Sequence, residues 1–438
     1  MKKIAKFVLG LGVLLVGTAA LVWALNVQDE VDVRAPMARA AASDSLVARG
    51  AYLALAGNCM TCHTARGGQA YAGGRAIDTP FGTVFTSNLT PDDKTGLGTW
   101  SPAHFWRAMH NGRSKNGRLL YPAFPYANYT QVTREDSDAL FAYLGSLPAV
   151  AQANRPHALR FPYQSQAALA VWRALYFSPG VYQPDASRNA EWNRGAYLVN
   201  GLGHCSACHT PRNALGASND KLNLAGGLIP MQNWYAPSLV SPHEAGVGTW
   251  DRADVVRLLQ AGVSPQASVL GPMAEVVQRS TQHLTQEDLG AMAQFLKELP
   301  QKQEQVQKQT EARSGPASTP AQESASGVLT GGAKLYDQHC AQCHGAQGQG
   351  VANAYPALAG NRAVTLPQTA NLVQIVLNGG YAPTTQGNPR PFGMPPFVLV
   401  LSDSEVATVL THIRSAWGNQ GSAVTALEVH RVRANQGR

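Results

Sequence analysis

All six cysteines of this 438-residue chain fall in three copies of one pattern: Cys59-Met-Thr-Cys62-His63, Cys205-Ser-Ala-Cys208-His209 and Cys340-Ala-Gln-Cys343-His344. A bare CxxC suits a thioredoxin-like redox pair or half of a zinc site, and cysteines of an exported chain usually form disulfides. Here every pair is followed at once by histidine, no cysteine is left over, and the pairs lie well over a hundred residues apart. That spacing does not suit a shared zinc. It suits covalent haem: two thiols on one helical turn bond the two vinyl-derived carbons of a porphyrin, and the next residue brings its imidazole to the iron. The expectation is three covalently bound haem c groups, with Cys59, Cys62, Cys205, Cys208, Cys340 and Cys343 as attachment points and His63, His209 and His344 as proximal ligands.

The surroundings of the motifs repeat as well. RGAYL precedes the first two (49–53 and 194–198) and AKLY (333–336) the third; each reads as a short helix delivering the cysteines. TSNLTPDDKTGLGTW (86–100) answers APSLVSPHEAGVGTW (236–250), and each leads into a helix with Ser101 or Asp251 as its N-cap and Pro102 in the first turn. A closing helix follows in each copy, with Thr133/Asp136, Thr285/Asp288 and Ser402/Glu405 at capping-box spacing; only the last pair has the usual Glu.

The chain therefore reads as mainly α, with three tandem cytochrome c-like domains at 45–150, 188–300 and 329–418. Residues 151–187 are too rich in Trp, Tyr and Phe for a loose linker and are expected to pack across domains or onto a partner. Residues 301–328 are polar and nearly free of large apolar side chains, as a flexible tether would be. The tail 419–438 carries no readable signal.

Residues 1–28 read as a membrane anchor or signal segment. Lys2, Lys3 and Lys6 precede an uncharged apolar run from Phe7 to Leu25, nineteen residues that rise ~28 Å as a helix, about the thickness of a bilayer core. Lysines before the run place the N-terminus in the cytoplasm and the rest of the chain outside it. A retained anchor is favoured over a cleaved signal peptide, because the small residues of APMARAAAS (35–43) lie far from the apolar end. The formal net charge is +8, but only 14% of residues are charged. The excess is diffuse and points to no nucleic-acid partner.

A haem held by one histidine leaves an axial position open, and a thioether sulfur there makes an electron carrier of raised potential. Met273 follows His209 by 64 residues in VLGPMAEV, and Met394 follows His344 by 50 in PFGMPPF. Either suits a gap-filling core methionine, but proline neighbours and recurrence at corresponding positions favour iron ligation. In the first copy, GTW-to-GTW matching gives an offset of 150 and the closing helices give 152, so Met273 maps to about residues 121–123, next to Phe124. Phenylalanine cannot coordinate iron, and no methionine lies between Met109 and Met231. Met109 matches Leu259 on a stripe with Phe105 and reads as core. His104 and His110 match Asp254 and Gln260 and read as a solvated face. The sixth ligand of the first haem stays unassigned. His204 and His339, each just before a cysteine, are expected to face solvent or a haem edge, with no role.

On the three CxxCH motifs, RGAYL, the SNLTPD and GTW segments, LYPAFPY and PFGMPPF, nearly the whole of 45–418 resembles the three-haem cytochrome c subunits of bacterial membrane-bound dehydrogenases. These serve alcohol, gluconate, sorbitol, fructose and aldehyde dehydrogenases, and the family often has Met where Phe124 stands. The resemblance implies a catalytic dehydrogenase subunit of flavin, quinone or molybdenum type as partner. It also implies electron relay to ubiquinone from the inner (cytoplasmic) membrane, facing the periplasm. The residues themselves agree: no GxGxxG in βαβ context, acid pair or Ser/His arrangement stands out, so no catalytic residue is assigned and no catalysis is expected of the chain alone. Two alternatives stay open: a stand-alone membrane-tethered carrier to an oxidase, and a haem enzyme, peroxidase or gas-binding, using an open first haem.

Overall fold

The computed structural model describes residues 2–28, 30, 33, 42–301, 322–352 and 354–434. Helices dominate, and the described strands form three small antiparallel sheets. The chain divides into two compact units: one runs to Asp185 and takes in Tyr197–His204, and the other holds Ala186–Ala196 and Cys205–Arg438.

The first unit begins with α1 (Lys2–Val27), whose side chains are almost all exposed and which is long and apolar enough to cross a bilayer. Helices α2 (Asp44–Ala56) and α3 (Cys59–Cys62) carry the first motif. They are followed by the hairpin β1 (Ala76–Thr79) and β2 (Gly82–Phe85), then α4 (Pro102–Asn111), α5 (Tyr126–Tyr129) and α6 (Arg134–Ser146). The α2–α6 crossing is so close that a methyl on Gly50 would collide with the Ala139 carbonyl, which explains the glycine of RGAYL. Leu53, Leu140 and Leu144, each at most 2% exposed, fill the crossing. Burial of each such side chain stabilises by roughly 1.5–3 kcal/mol.

Ser101 caps α4 as expected, and His104 completes the capping box by accepting the Ser101 N–H on Nδ1 at 3.2 Å. The segment 151–187 contributes structure within this unit. Strand β3 (Ala158–Leu159) extends the hairpin through Thr83↔Ala158 and Gly82↔Leu159, and α7 (Gln166–Tyr176) packs against α1.

In the second unit, α8 (Ala190–Tyr197, its last residue belonging to the first unit) carries the second RGAYL, and α9 (Ser206–His209) the end of the second motif. A methyl on Gly195 would collide with the Ala291 carbonyl, the same relation as at Gly50. The second copy has one residue more between arginine and cysteine (Arg194 to Cys205 against Arg49 to Cys59), and the π-helical turn Leu198–Leu202 takes it up. Strands β4 (Gly227–Ile229) and β5 (Trp234–Ala236) pair ahead of α10 (Arg252–Ala261), α11 (Pro272–Arg279) and α12 (Gln286–Lys297). Asp251 occupies the N-cap position of α10 but its side chain makes no capping hydrogen bond.

The third motif follows the helix Gln322–His339, which crosses the closing helix Asp403–Ser415 at Gly332; a Cβ there would come within 2.8 Å of the Thr408 carbonyl. That helix starts earlier than 329, and most of the expected tether, residues 302–321, lies outside the described residues. Strands β6 (Gly380–Tyr381) and β7 (Gly393–Met394) pair beside it. The tail is not featureless: Ala426–Ala434 is a helix that buries Val429 and Val432 in the core with Val373, Leu377 and Leu410.

Candidate haem sites

At each motif the cysteines and histidine share a single helical turn, and no disulfide joins any of the six thiols. Asn58, in the left-handed conformation at φ 51°, turns the chain from α2 into the first motif. Burial pushes the thiols of Cys59 and Cys205 up to about 12 and that of Cys340 to about 11, so all three are protonated in the haem-free chain. Among the described residues no group of three or more His, Cys, Asp or Glu is arranged to hold a metal ion. The three pairs therefore do not pool into a zinc site.

The three imidazoles are held alike. His63 Nδ1 lies 2.7 Å from the Ser87 carbonyl, His209 Nδ1 2.7 Å from that of Pro237, and His344 Nδ1 2.9 Å from that of Pro356. A carbonyl only accepts, so Nδ1 carries the proton and Nε2 keeps the lone pair that an iron needs. Burial also lowers the pKa of each ring, which favours the neutral, ligating form. At each motif a pair of thiols stands beside an imidazole whose Nε2 carries no proton, a set of residues that would hold a covalent haem c. When bound, each haem supplies one-electron redox chemistry.

The orienting carbonyls were not singled out by the motifs, although the signal was there. Ser87 and Pro237 lie in the repeated segments 86–100 and 236–250, at the same offset of 150 as the GTW triplets. Pro356 has no counterpart in that repeat.

The surroundings of the candidate sixth ligands differ. In the second, Met273 sits half-buried in the first turn of α11, and a Cβ on the preceding Gly271 would come within 2.7 Å of the Trp234 indole. Trp234 opens β5, and the Pro237 that holds His209 follows its end, so one strand braces both elements. In the third, Met394 on β7 packs on the cluster that also receives Cys340 and Ala341. In the first, Phe124 stacks on Tyr129, centroids 5.3 Å apart, and Tyr129 Oη donates to the Gly57 carbonyl at 3.2 Å, two residues before Cys59. Burial drives the Tyr129 phenol well up, with the neighbouring Cys59 and Cys62 adding to the rise. An aromatic pair thus occupies the region of Phe124, next to the positions that repeat matching aligns with Met273.

Met109 is 5% exposed on α4 beside Phe105, as a core residue should be. His110 is not on a solvated face: it is 5% exposed, stacked on Trp106 at 4.6 Å, with Nδ1 2.8 Å from the Thr130 carbonyl. Its helix is covered on that side by α5, which a comparison with Gln260 could not reveal. His104 is half-buried, with its Nδ1 engaged in the cap at Ser101. His204 is half-buried against Tyr129, centroids 5.6 Å apart, and bonds the Gly57 carbonyl; burial lowers its pKa. His339 stacks edge-on against Phe397 at 5.9 Å.

Known proteins resemble this chain over most of its length. The Cytochrome c family model matches residues 47–148 and 329–417. The cytochrome c subunit of alcohol dehydrogenase (quinone) from Gluconacetobacter polyoxogenes is 38% identical over 401 residues, covering 90% of this chain and 85% of that one. The chain belongs to the cytochrome c subunits of bacterial dehydrogenases. Within that family, the gluconate 2-dehydrogenase cytochrome c subunit of Pantoea cypripedii is 38% identical over 90% of this chain and 91% of its own. The fructose dehydrogenase cytochrome subunit of Gluconobacter japonicus is 35% identical over 89% and 82%. As a member of the dehydrogenase cytochrome c subunits, the protein is an electron-transfer subunit.

Proposed function

We propose that this cytochrome carries three covalent haem c groups in three tandem domains and relays electrons from the cofactor of a catalytic dehydrogenase subunit to ubiquinone. It is retained by α1 in the cytoplasmic membrane with its domains in the periplasm. The observation that carries the reading is the threefold recurrence of a thiol pair beside an imidazole locked through Nδ1. Relatives named for alcohol, gluconate and fructose dehydrogenases support a partner that oxidises an alcohol, a sugar or a sugar acid, of flavin, quinone or molybdenum type. The chain's own part is to hold each iron's imidazole neutral and oriented, and to place Met273 and Met394 as sixth ligands of the second and third haems.

The test is purification from native membranes in mild detergent. A larger catalytic subunit co-purifies, its substrate reduces the c-type haems, and added ubiquinone analogue reoxidises them. Substrate turnover by the isolated cytochrome would overturn the assignment, as would haems that stay oxidised when the partner turns over.

Phe124 favours a second reading for one site alone: a five-coordinate first haem that binds small gases. Carbon monoxide binding by one of the three reduced haems, with peroxide turnover, supports it; absence of both removes it.

A further inference from the structure

Helix α7 has one charged residue, Arg173, and it points inward at 2% exposure. Its Nε donates to Asn26 Oδ1 at 2.9 Å and its Nη2 to the Asn111 carbonyl at 2.7 Å. Asn26 in turn donates to the Ala170 carbonyl at 2.9 Å. Asn26 lies in the last turn of α1, directly after the apolar run that ends at Leu25. These bonds clamp α7 to the outer end of that run. Three residues beyond α1, Glu30 pairs with Arg107 at 3.2 Å and Arg113 at 3.0 Å.

The face of α7 turned away from the protein is apolar and uncovered. Ala167, Val171 and Leu175 recur at four-residue spacing, all exposed, with Val171 at 48% and Leu175 at 64%. Tyr176 closes the helix at 37%, and Phe161 stands just upstream at 82%. A face of this kind, with no charge on it, is costly in water and marks a contact surface. Its position at the end of a membrane-length helix selects the contact, because interfacial helices bury apolar faces about 5–10 Å into the headgroup boundary and aromatic residues concentrate there.

We propose that α7 lies in the outer interfacial layer of the bilayer that α1 crosses, with Val171, Leu175 and Phe161 in contact with lipid. The proposal rests on α1 being a retained anchor. It makes the segment 151–187 a second membrane contact that fixes the height and tilt of the first unit.

The test places the haem-loaded full chain in phosphatidylcholine vesicles containing a lipid with a photoactivatable diazirine near the carboxyl end of its acyl chain. Adducts are then mapped by mass spectrometry. Adducts on both α1 and the 161–176 peptide are expected, and Val171→Glu with Leu175→Glu abolishes those on α7 while α1 keeps its own. Labelling of α1 with none on wild-type α7, whether the face stays in water or another protein covers it, overturns the proposal alone. Absence of labelling from both shows that the anchor reading itself has failed.

Discussion

Arg194 grips Asp288 through two parallel hydrogen bonds of 2.7 Å, and one repeat earlier Arg49 reaches Asp136 through Oδ1 alone, its Nε at 2.8 Å, while Oδ2 accepts from Tyr197 Oη at 2.6 Å. Each arginine opens an RGAYL, and each aspartate is the third residue of a closing helix capped by threonine. The threonine hydroxyl accepts the aspartate N–H at 3.2 Å, and the carboxylate turns outward to the arginine instead of back to the cap. The absence of Glu from two of the three capping boxes therefore has a cause: the shorter side chain serves the helix crossing.

Replacing Arg194 with Ala leaves the Asp288 carboxylate, 11% exposed, without its bidentate donor. Arg194 is itself 36% exposed, so screening reduces the effect; the expected loss is about 1–2 kcal/mol. Guanidinium unfolding followed by tryptophan fluorescence measures it, and Arg194→Lys recovers only part.

Gly195→Ala forces α8 off the Ala291 carbonyl. Overpacking of this kind costs roughly 1–3 kcal/mol, and the protein is expected to lose haem from the second site on mild heating. Gly180→Ala, where an added Cβ meets nothing within 4 Å, serves as the control and leaves haem content unchanged.

Phe124→Met supplies the missing sulfur. One haem of three is expected to shift to a higher midpoint potential in a redox titration and to lose whatever carbon monoxide binding the wild type shows. Met273→Ala and Met394→Ala are expected to do the reverse, each opening one further haem to carbon monoxide.

His104 gives a pH dependence. Burial first, then Arg107 and Lys115, lower its pKa, and its Nδ1 accepts the Ser101 N–H only when unprotonated. The folded state therefore binds fewer protons than the unfolded chain between the lowered value and the ordinary value near 6.5. Stability contributed by this cap is full above that ordinary value and is lost as pH falls through the window. A helix cap is typically worth about 1 kcal/mol. Thermal unfolding at pH 5 and pH 8 checks it, with His104→Gln, which still accepts at that position, showing a smaller difference between the two pH values.

What could be read from the sequence follows from how local each requirement is. Thiols and imidazole on one turn, and hydroxyls at Ser101, Thr133, Thr285 and Ser402 ahead of their helices, are all set within a few residues. The burial of His110 and the placing of His204 depend on segments brought together from far along the chain, which repeat matching does not register. The same holds for the helix Ala426–Ala434, whose two buried valines show only a weak pattern in isolation. Asp251 failed as a cap for a local reason that its position does not disclose: its side chain does not turn back to the α10 amides.

The account stands on three porphyrins bonded to one chain. Intact mass of the denatured, acid-acetone-washed protein, read with its alkaline pyridine haemochrome absorbance, tests this directly. Three haems retained per polypeptide are expected, falling to two retained in full when both Cys340 and Cys343 are replaced by Ala. Fewer than three on the wild type, or any haem removed by the wash, would contradict it.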